Sequence, residues 1–238
     1  MAVVNKVVNK VVYPTVKDVM NFSGASYPSI IDDGNTVAWY DAAAAYVIKD
    51  VSDRVSQMTD RTGLGHHLVQ LTGADQMLWS ATGVLGDGVS EFMKTATFTF
   101  EQPEMIYMVV KQVSWANVDR LVDGDVNDSM LIYQNSSTPK LDVSAGTPSA
   151  HNSNLAVGDW GIIRVLFNGA NSTFQINETV ALTGDYGASD ANGFTLASRN
   201  SGSNVANIEV KEIIARKSAD TATDQDIIYN YLKTKYGL

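Results

Sequence analysis

The sequence predicts an all-β fold, two antiparallel sheets packed face to face and closed by a single C-terminal helix. Three observations carry the prediction. Short runs of strand-forming residues recur along the chain, Gly- and Asn-centred turns separate them, and the last segment is an amphipathic stretch with stop signals at its end. With 238 residues, 45% of them hydrophobic and 18% charged, the chain can bury a full core, and sandwiches reach this length as one domain.

The first 29 residues form a separate unit, an N-terminal strand or arm, ahead of a domain over 30–238. Met1 to Val12 repeats Val-Val-Asn-Lys, and its β-branched residues favour extended chain. It reads either as an edge strand of the domain's own sheet or as an arm pairing with a neighbouring subunit. Lysine interrupts it too often for a secretory h-region, so no signal peptide is expected. No run approaches the ~20 apolar residues of a membrane span.

Within 30–238 the strand runs include Thr97-Phe98-Thr99-Phe100, Met105-Ile106-Tyr107-Met108-Val109-Val110, Ile162 to Phe167 and Ile208 to Ile214. Between them stand Asp33-Gly34, Thr62-Gly63, Asp123-Gly124, Gly158-Asp159, Asn168-Gly169 and Asn192-Gly193. Strands never alternate with long helices, which argues against a parallel α/β sheet. A short helical turn is expected around Tyr46 to Met58. From Ser172 to Thr183, Phe174, Ile176 and Val180 alternate with polar residues about Asn177-Glu178, read as a two-residue hairpin loop in which Asn tolerates positive φ. The closing helix has Asp220 or Thr223 as N-cap, Ile227, Ile228, Tyr231 and Leu232 as its apolar stripe, and Gly237 as the residue that ends it.

A formal charge of −9 argues against nucleic acid as a partner, because phosphate neutralisation needs a basic face. The chain has no cysteine, so neither disulfides nor thiolate metal sites contribute.

Several stretches, in this order, resemble the concanavalin A-like, laminin-G-like jelly-roll family. They are Val37-Ala38-Trp39-Tyr40-Asp41-Ala42, Val55 to Gly63 with its Asp60-Arg61-Thr62-Gly63 turn, Gly158-Asp159-Trp160, Phe167-Asn168-Gly169, Ile176-Asn177, Gly193-Phe194-Thr195-Leu196, and the terminal Ile228 to Gly237. Met58 departs from the tryptophan usual in the second motif. The resemblance implies two curved antiparallel sheets with binding on the concave face or rim loops. The family holds lectins, glucanases and structural modules, so fold alone does not fix function.

The glucanase branch implies a Glu-x-Asp-x-x-Glu strand, whose alternation would converge the acids in one cleft. That spacing is absent. Glu101 with Glu104, and Glu209 with Glu212, are the nearest pairs; both are read as solvated surface charges, the second pointing to opposite faces. His66, His67 and His151 do not share a metal-binding spacing. No nucleophile elbow, zinc-protease helix or phosphate loop occurs.

Asp123, Asp125 and Asn127 share the one-three-five spacing of a calcium loop, with Asp128 where glycine is required and Gln134 where the bidentate glutamate belongs. An EF-hand is thereby rejected. A looser calcium site formed by Asp123, Asp125, Asn127 and Asp128 competes with an exposed turn whose carboxylates face water; no other cofactor is implied. Trp79, Trp115, Tyr133 and Tyr186 are candidate sugar-stacking platforms or packing residues, while Trp39 and Trp160 are assigned to the core.

The expectation is therefore a non-catalytic jelly-roll module with a structural or glycan-recognition role. The resemblance suggests a bacteriophage virion component, assembled in the host cytoplasm as a homo-oligomer or against other virion proteins. The alternative is a bacterial carbohydrate-binding module or degenerate glycan hydrolase, at the cell surface or secreted.

Overall fold

The computed structural model describes residues 27–148 and 151–238. Residues 1–26, all but the last three of the expected N-terminal arm over 1–29, lie outside the described residues. Two sheets of eight strands each form the sandwich. The first contains β1 (Thr36–Asp41), β5 (Leu78–Ser80), β6 (Gly83–Leu85), β8 (Glu104–Gln112), β12 (Trp160–Phe167), β13 (Ser172–Ile176), β14 (Leu182–Gly184) and β16 (Ile208–Arg216). The second contains β2 (Val47–Lys49), β3 (Val55–Met58), β4 (Leu68–Val69), β7 (Met93–Lys94), β9 (Arg120–Asp123), β10 (Leu131–Gln134), β11 (Leu141–Ser144) and β15 (Thr195–Leu196).

The first sheet runs β14-β13-β12-β8-β16-β6-β5, with β1 also paired to β16; the second runs β11-β10-β9-β15-β7-β4-β3-β2. All strand pairs between these elements are antiparallel.

Side-chain alternation builds the core between the sheets. Ile106, Met108 and Val110 of β8, Ile163, Val165 and Phe167 of β12, and Val210 and Ile213 of β16 meet Met58, Leu68, Met93, Val122, Ile132 and Val143 of the second sheet. The alternate residues of the first sheet are apolar too. Met105, Tyr107, Val109, Ile162, Leu166 and Ile214 pack against Ile228, Tyr229 and Leu232 of helix α1 (Ala222–Tyr236). Covered on both faces, β8 and β12 therefore read as continuous apolar runs and not as alternating ones.

Helix α1 is capped by Thr221, whose Oγ1 accepts from the Asp224 N–H at 3.2 Å. Of the two expected caps, Thr223 lies inside the helix as its second residue, and Asp220 is drawn inward: it accepts from the Tyr107 hydroxyl at 2.8 Å and from Arg216 Nε at 2.8 Å. Gly237 ends the helix at φ 67°, in the left-handed region where a Cβ is unfavourable. The expected helical turn at Tyr46 to Met58 is only a 3-10 turn, Ala44–Tyr46, followed by β2 and β3; Val47, Ile48 and Val55 favour strand there. The hairpin after β13 is likewise longer than two residues. Asn177 takes the positive φ of 54°, but β14 begins only at Leu182 and Val180 is exposed. Among the described residues no helix is long and apolar enough to cross a membrane.

Candidate functional site

The outer face of the first sheet, beside α1, is where charge and aromatic side chains gather. A β-bulge organises it. Along β16, Glu209 pairs with Lys111 and Val210 with Val110, but Glu212 pairs with Val109, leaving Lys211 as an extra residue. One added residue reverses the alternation beyond it. Glu209 and Glu212 consequently share the outer face, contrary to the expectation of opposite faces. Neither is a solvated surface charge, since both are buried.

Glu209 bonds to Lys111 and accepts from the Thr82 hydroxyl. Against the burial that would raise it, these hydrogen bonds hold its carboxyl below the usual value. Glu212 lies directly across from Asp41 of β1. Its Oε1 accepts from Trp39 Nε1 at 2.7 Å and from the Tyr231 hydroxyl at 3.1 Å. Its Oε2 accepts from Lys235 Nζ and the Tyr236 hydroxyl, both at 2.6 Å. Burial, and next the Glu212 carboxylate, push both phenols well above the ordinary tyrosine value, so they remain donors.

Asp41 completes the network. Its Oδ2 accepts from Lys235 Nζ and from Arg61 Nη1, each at 2.7 Å. The Arg61 guanidinium stacks 3.6 Å from the Trp39 ring centroid and 4.2 Å from that of Tyr46. The Asp60 turn places it: Asp60 accepts from the backbone N–H of Trp39, Thr62 and His66, and the Arg61 N–H donates to the Trp39 carbonyl. Arg61 thus lines a cleft of about 410 Å³ together with Tyr27, Ile31, Trp39 and Leu64.

A second cleft, of about 520 Å³, opens on the other side of Asp41, lined by Trp79, Gly83, Lys211, Lys235 and Tyr236. Trp79 is held by its Nε1 donating to the Ala42 carbonyl at 2.8 Å. Lys211 Nζ lies 4.1 Å from the Trp160 ring centroid and 5.4 Å from that of Tyr236. Trp160, assigned to the core from sequence, is half-buried and packs at the margin of the hydrophobic cluster between this sheet and α1. Such a cleft offers ring faces for apolar surface and convergent polar groups for hydroxyls or charge.

The other expected platforms lie elsewhere. Trp115, half-buried before β9, donates its Nε1 to the Lys140 carbonyl at 3.1 Å. Tyr133 on β10 lies beneath Arg120, whose guanidinium is 4.7 Å from its ring centroid. Tyr186 is 2% exposed and belongs to the inter-sheet core, so neither ring face is open. The four aromatic residues do not form one surface.

Each acidic-loop residue proposed as a calcium ligand already accepts a hydrogen bond from another group of the protein. Asp123 accepts from the backbone N–H of Gly124, Asp128 and Asn200; Asp125 accepts from the Thr97 hydroxyl; Asn127 accepts from the Ser201 N–H. Asp128 pairs with Arg120 and Arg199. Among the described residues no three His, Asp or Glu side chains are grouped so as to hold a metal ion. The histidines are engaged as well: His66 stacks on Phe98, His67 accepts from the Asp60 N–H, and His151 bonds to Asp142. Glu104 is buried at the start of β8, where Oε1 accepts from the Ala191 N–H at 2.7 Å and Oε2 has no partner. Burial pushes its carboxyl up to about 8.

No protein-family model matches the chain, and no curated protein is similar to it. Solved structures share its fold. Trypanosoma rangeli sialidase in complex with sialic acid superposes with a TM-score of 0.60 at 8% identity, over 84% of this chain and 33% of that one. A mutant of the same sialidase displaying trans-sialidase activity gives 0.61 at 7% identity, over 89% and 34%. A GH54 α-L-arabinofuranosidase soaked with a cyclic sulfate inhibitor gives 0.59 at 15% identity, over 75% and 50%. The chain therefore spans about a third of the sialidase and half of the arabinofuranosidase, and at these identities the likeness is one of fold. It is consistent with the jelly-roll resemblance. It also overturns the expectation of a non-catalytic virion module, because these neighbours are glycosidases.

Proposed function

We propose that this chain is a carbohydrate-active sandwich, binding a saccharide in the cleft between Trp79 and Tyr236 in the service of glycoside hydrolysis. The observation that carries the reading is that cleft. It joins two aromatic side chains to the Asp41 carboxylate and the Lys211 and Lys235 ammonium groups. Aromatic faces suit the C–H surface of a pyranose, and charged groups beside them orient its hydroxyls. The fold shared with a sialidase and an arabinofuranosidase supports it.

Calorimetric titration with a panel of oligosaccharides tests it. Binding is expected to weaken by about tenfold in Trp79→Ala, the loss of one stacking contact worth about 1.4 kcal/mol; because Trp79 also packs against the core, thermal unfolding must show that the variant is folded at the temperature of the titration. No binding to any oligosaccharide would overturn it.

A specific observation favours cleavage by the chain itself. Asp41 lines the cleft and lies beside Glu212, and one ammonium contacts both. Paired carboxylates are what glycoside hydrolysis requires. Glu212 accepts from four donors, and Asp41, buried as well and held by Arg61, Lys235 and the Ala43 N–H, is the one of the two that lines the cleft. Release of nitrophenol from nitrophenyl glycosides that disappears in Asp41→Asn is the expected result; turnover unchanged by that substitution would remove Asp41 from the chemistry.

A further inference from the structure

Charge on the outer face of the first sheet is matched, with one exception. Lys111 pairs with Glu209, Arg61 with Asp41, Lys235 with Asp41 and Glu212, and Arg164 with Asp226. Lys211 has no ion pair among the described residues, although it is the bulge residue of β16 and lines the cleft. Its two carboxylate neighbours along β16 are already engaged, Glu212 by Trp39, Tyr231, Tyr236 and Lys235, and Glu209 by Lys111 and Thr82.

Its position is nevertheless fixed. The Lys211 carbonyl accepts from the Ala42 N–H at 2.8 Å, and its ammonium lies over the Trp160 ring and beside Tyr236. Ring faces attract a cation but leave its N–H donors unspent. A positioned ammonium with free donors, opening on a cleft with aromatic walls, is complementary to an anion carried on a partly apolar ring.

We propose that the saccharide taken by this cleft is acidic, a carboxylate-bearing sugar whose carboxylate bonds to Lys211 Nζ while its ring lies against Trp79 or Tyr236. This deepens the glycan reading above and rests on it. Uronic and sialic acids both carry the required carboxylate. Asp41 and the chain's overall negative charge would repel such a ligand at long range, so the contact with Lys211 has to be local and direct.

Titration calorimetry on the full chain, at low salt, separates the outcomes. The probes are trigalacturonate and 3′-sialyllactose, with galactotriose and lactose as neutral counterparts. At least one acidic probe is expected to bind about tenfold more tightly than its neutral counterpart, as one charge-assisted contact of about 1.4 kcal/mol provides. Lys211→Met should abolish that preference and Lys211→Arg keep part of it. Because Lys211 holds no ion pair, Lys211→Met should fold, and thermal unfolding checks this.

Equal binding of acidic and neutral probes, weakened by Trp79→Ala, would overturn the acidic specificity and leave the glycan reading standing. A preference for the acidic probe that survives in folded Lys211→Met would overturn the role of Lys211. Absence of binding by all four probes would overturn the inference, and a wider panel would then decide the parent reading. The two acidic probes, compared with each other, assign the carboxylate to a uronic or a sialic acid.

Discussion

Asp41 and Glu212 stand directly opposite each other on β1 and β16, two buried carboxylates side by side on one face. Like charges so placed destabilise a sheet. Lys235, arriving from the last turn of α1, contacts both. The helix is thereby fastened to the sheet by charge as well as by Ile228 and Leu232. Lys235→Met should cost about 3 kcal/mol, since removing one member of a buried ion pair leaves its partner uncompensated. In a Glu212→Gln background the same substitution should cost less, because one of the two carboxylates is gone. A double-mutant cycle in urea measures the coupling; additive losses would mean that the contacts contribute nothing jointly.

Glu104 makes stability depend on pH in a direction opposite to that of an ordinary ion-paired acid. Its carboxyl is pushed up to about 8 by burial, from an ordinary value of 4.5. The folded protein keeps the proton where the unfolded chain releases it. The stability it confers is complete below pH 4.5 and is lost as pH rises to about 8, by up to ~1.4 kcal/mol per unit. Glu104→Gln should match the parent near pH 4.5 and exceed it by a few kcal/mol at pH 8. Parallel pH profiles of the two proteins would contradict this.

Arg216 links three segments. It pairs with Asp220 before the helix and with Asp33, and Nη1 donates to the Ile30 carbonyl and to Thr36. Arg216→Met should destabilise by about 4 kcal/mol, leaving Asp220 and Asp33 without their counter-charge. Chemical denaturation reads the loss, and a change below 1 kcal/mol would deny the residue this role.

Thr221 tests the helix more gently. Replacement by Ala should cost about 1 kcal/mol and replacement by Ser much less, since serine keeps the accepting oxygen. Equal losses would show that the Thr221 methyl group, not the cap, matters.

Much of the architecture was legible in the sequence because alternation, turns and capping are local signals. The C-terminal helix could be placed within two residues from Ile228, Leu232 and Gly237. Its N-cap was not, because Asp220 satisfies every cap preference yet is claimed by Arg216 and Tyr107 from other strands. The site was less legible. Trp79 carried an aromatic signal, but Asp41, Arg61, Lys211 and the adjacent Lys235 and Tyr236 of α1 come from four different places in the chain and no short motif unites them. Asp41, Arg61, Lys235 and Tyr236 stood inside the stretches resembling the jelly-roll family, which was the available clue. Glu209 and Glu212 were misplaced for one reason: strict alternation holds only while every residue pairs, and Lys211 does not.

That unpaired residue also sets how β16 responds to a change in length. On the other side of β8, β12 runs against that strand without interruption from Trp160 to Phe167. Losing one residue there would turn all subsequent side chains over, core outward and surface inward. β16 holds a spare at position 211, so excising it would restore plain alternation and leave Glu209, Glu212 and Ile214 facing as they do now. A single-residue deletion at this point should therefore give a folded protein that has lost its free ammonium, while the same excision at Arg164 should not fold; circular dichroism of the two deletions distinguishes a strand with slack from one without.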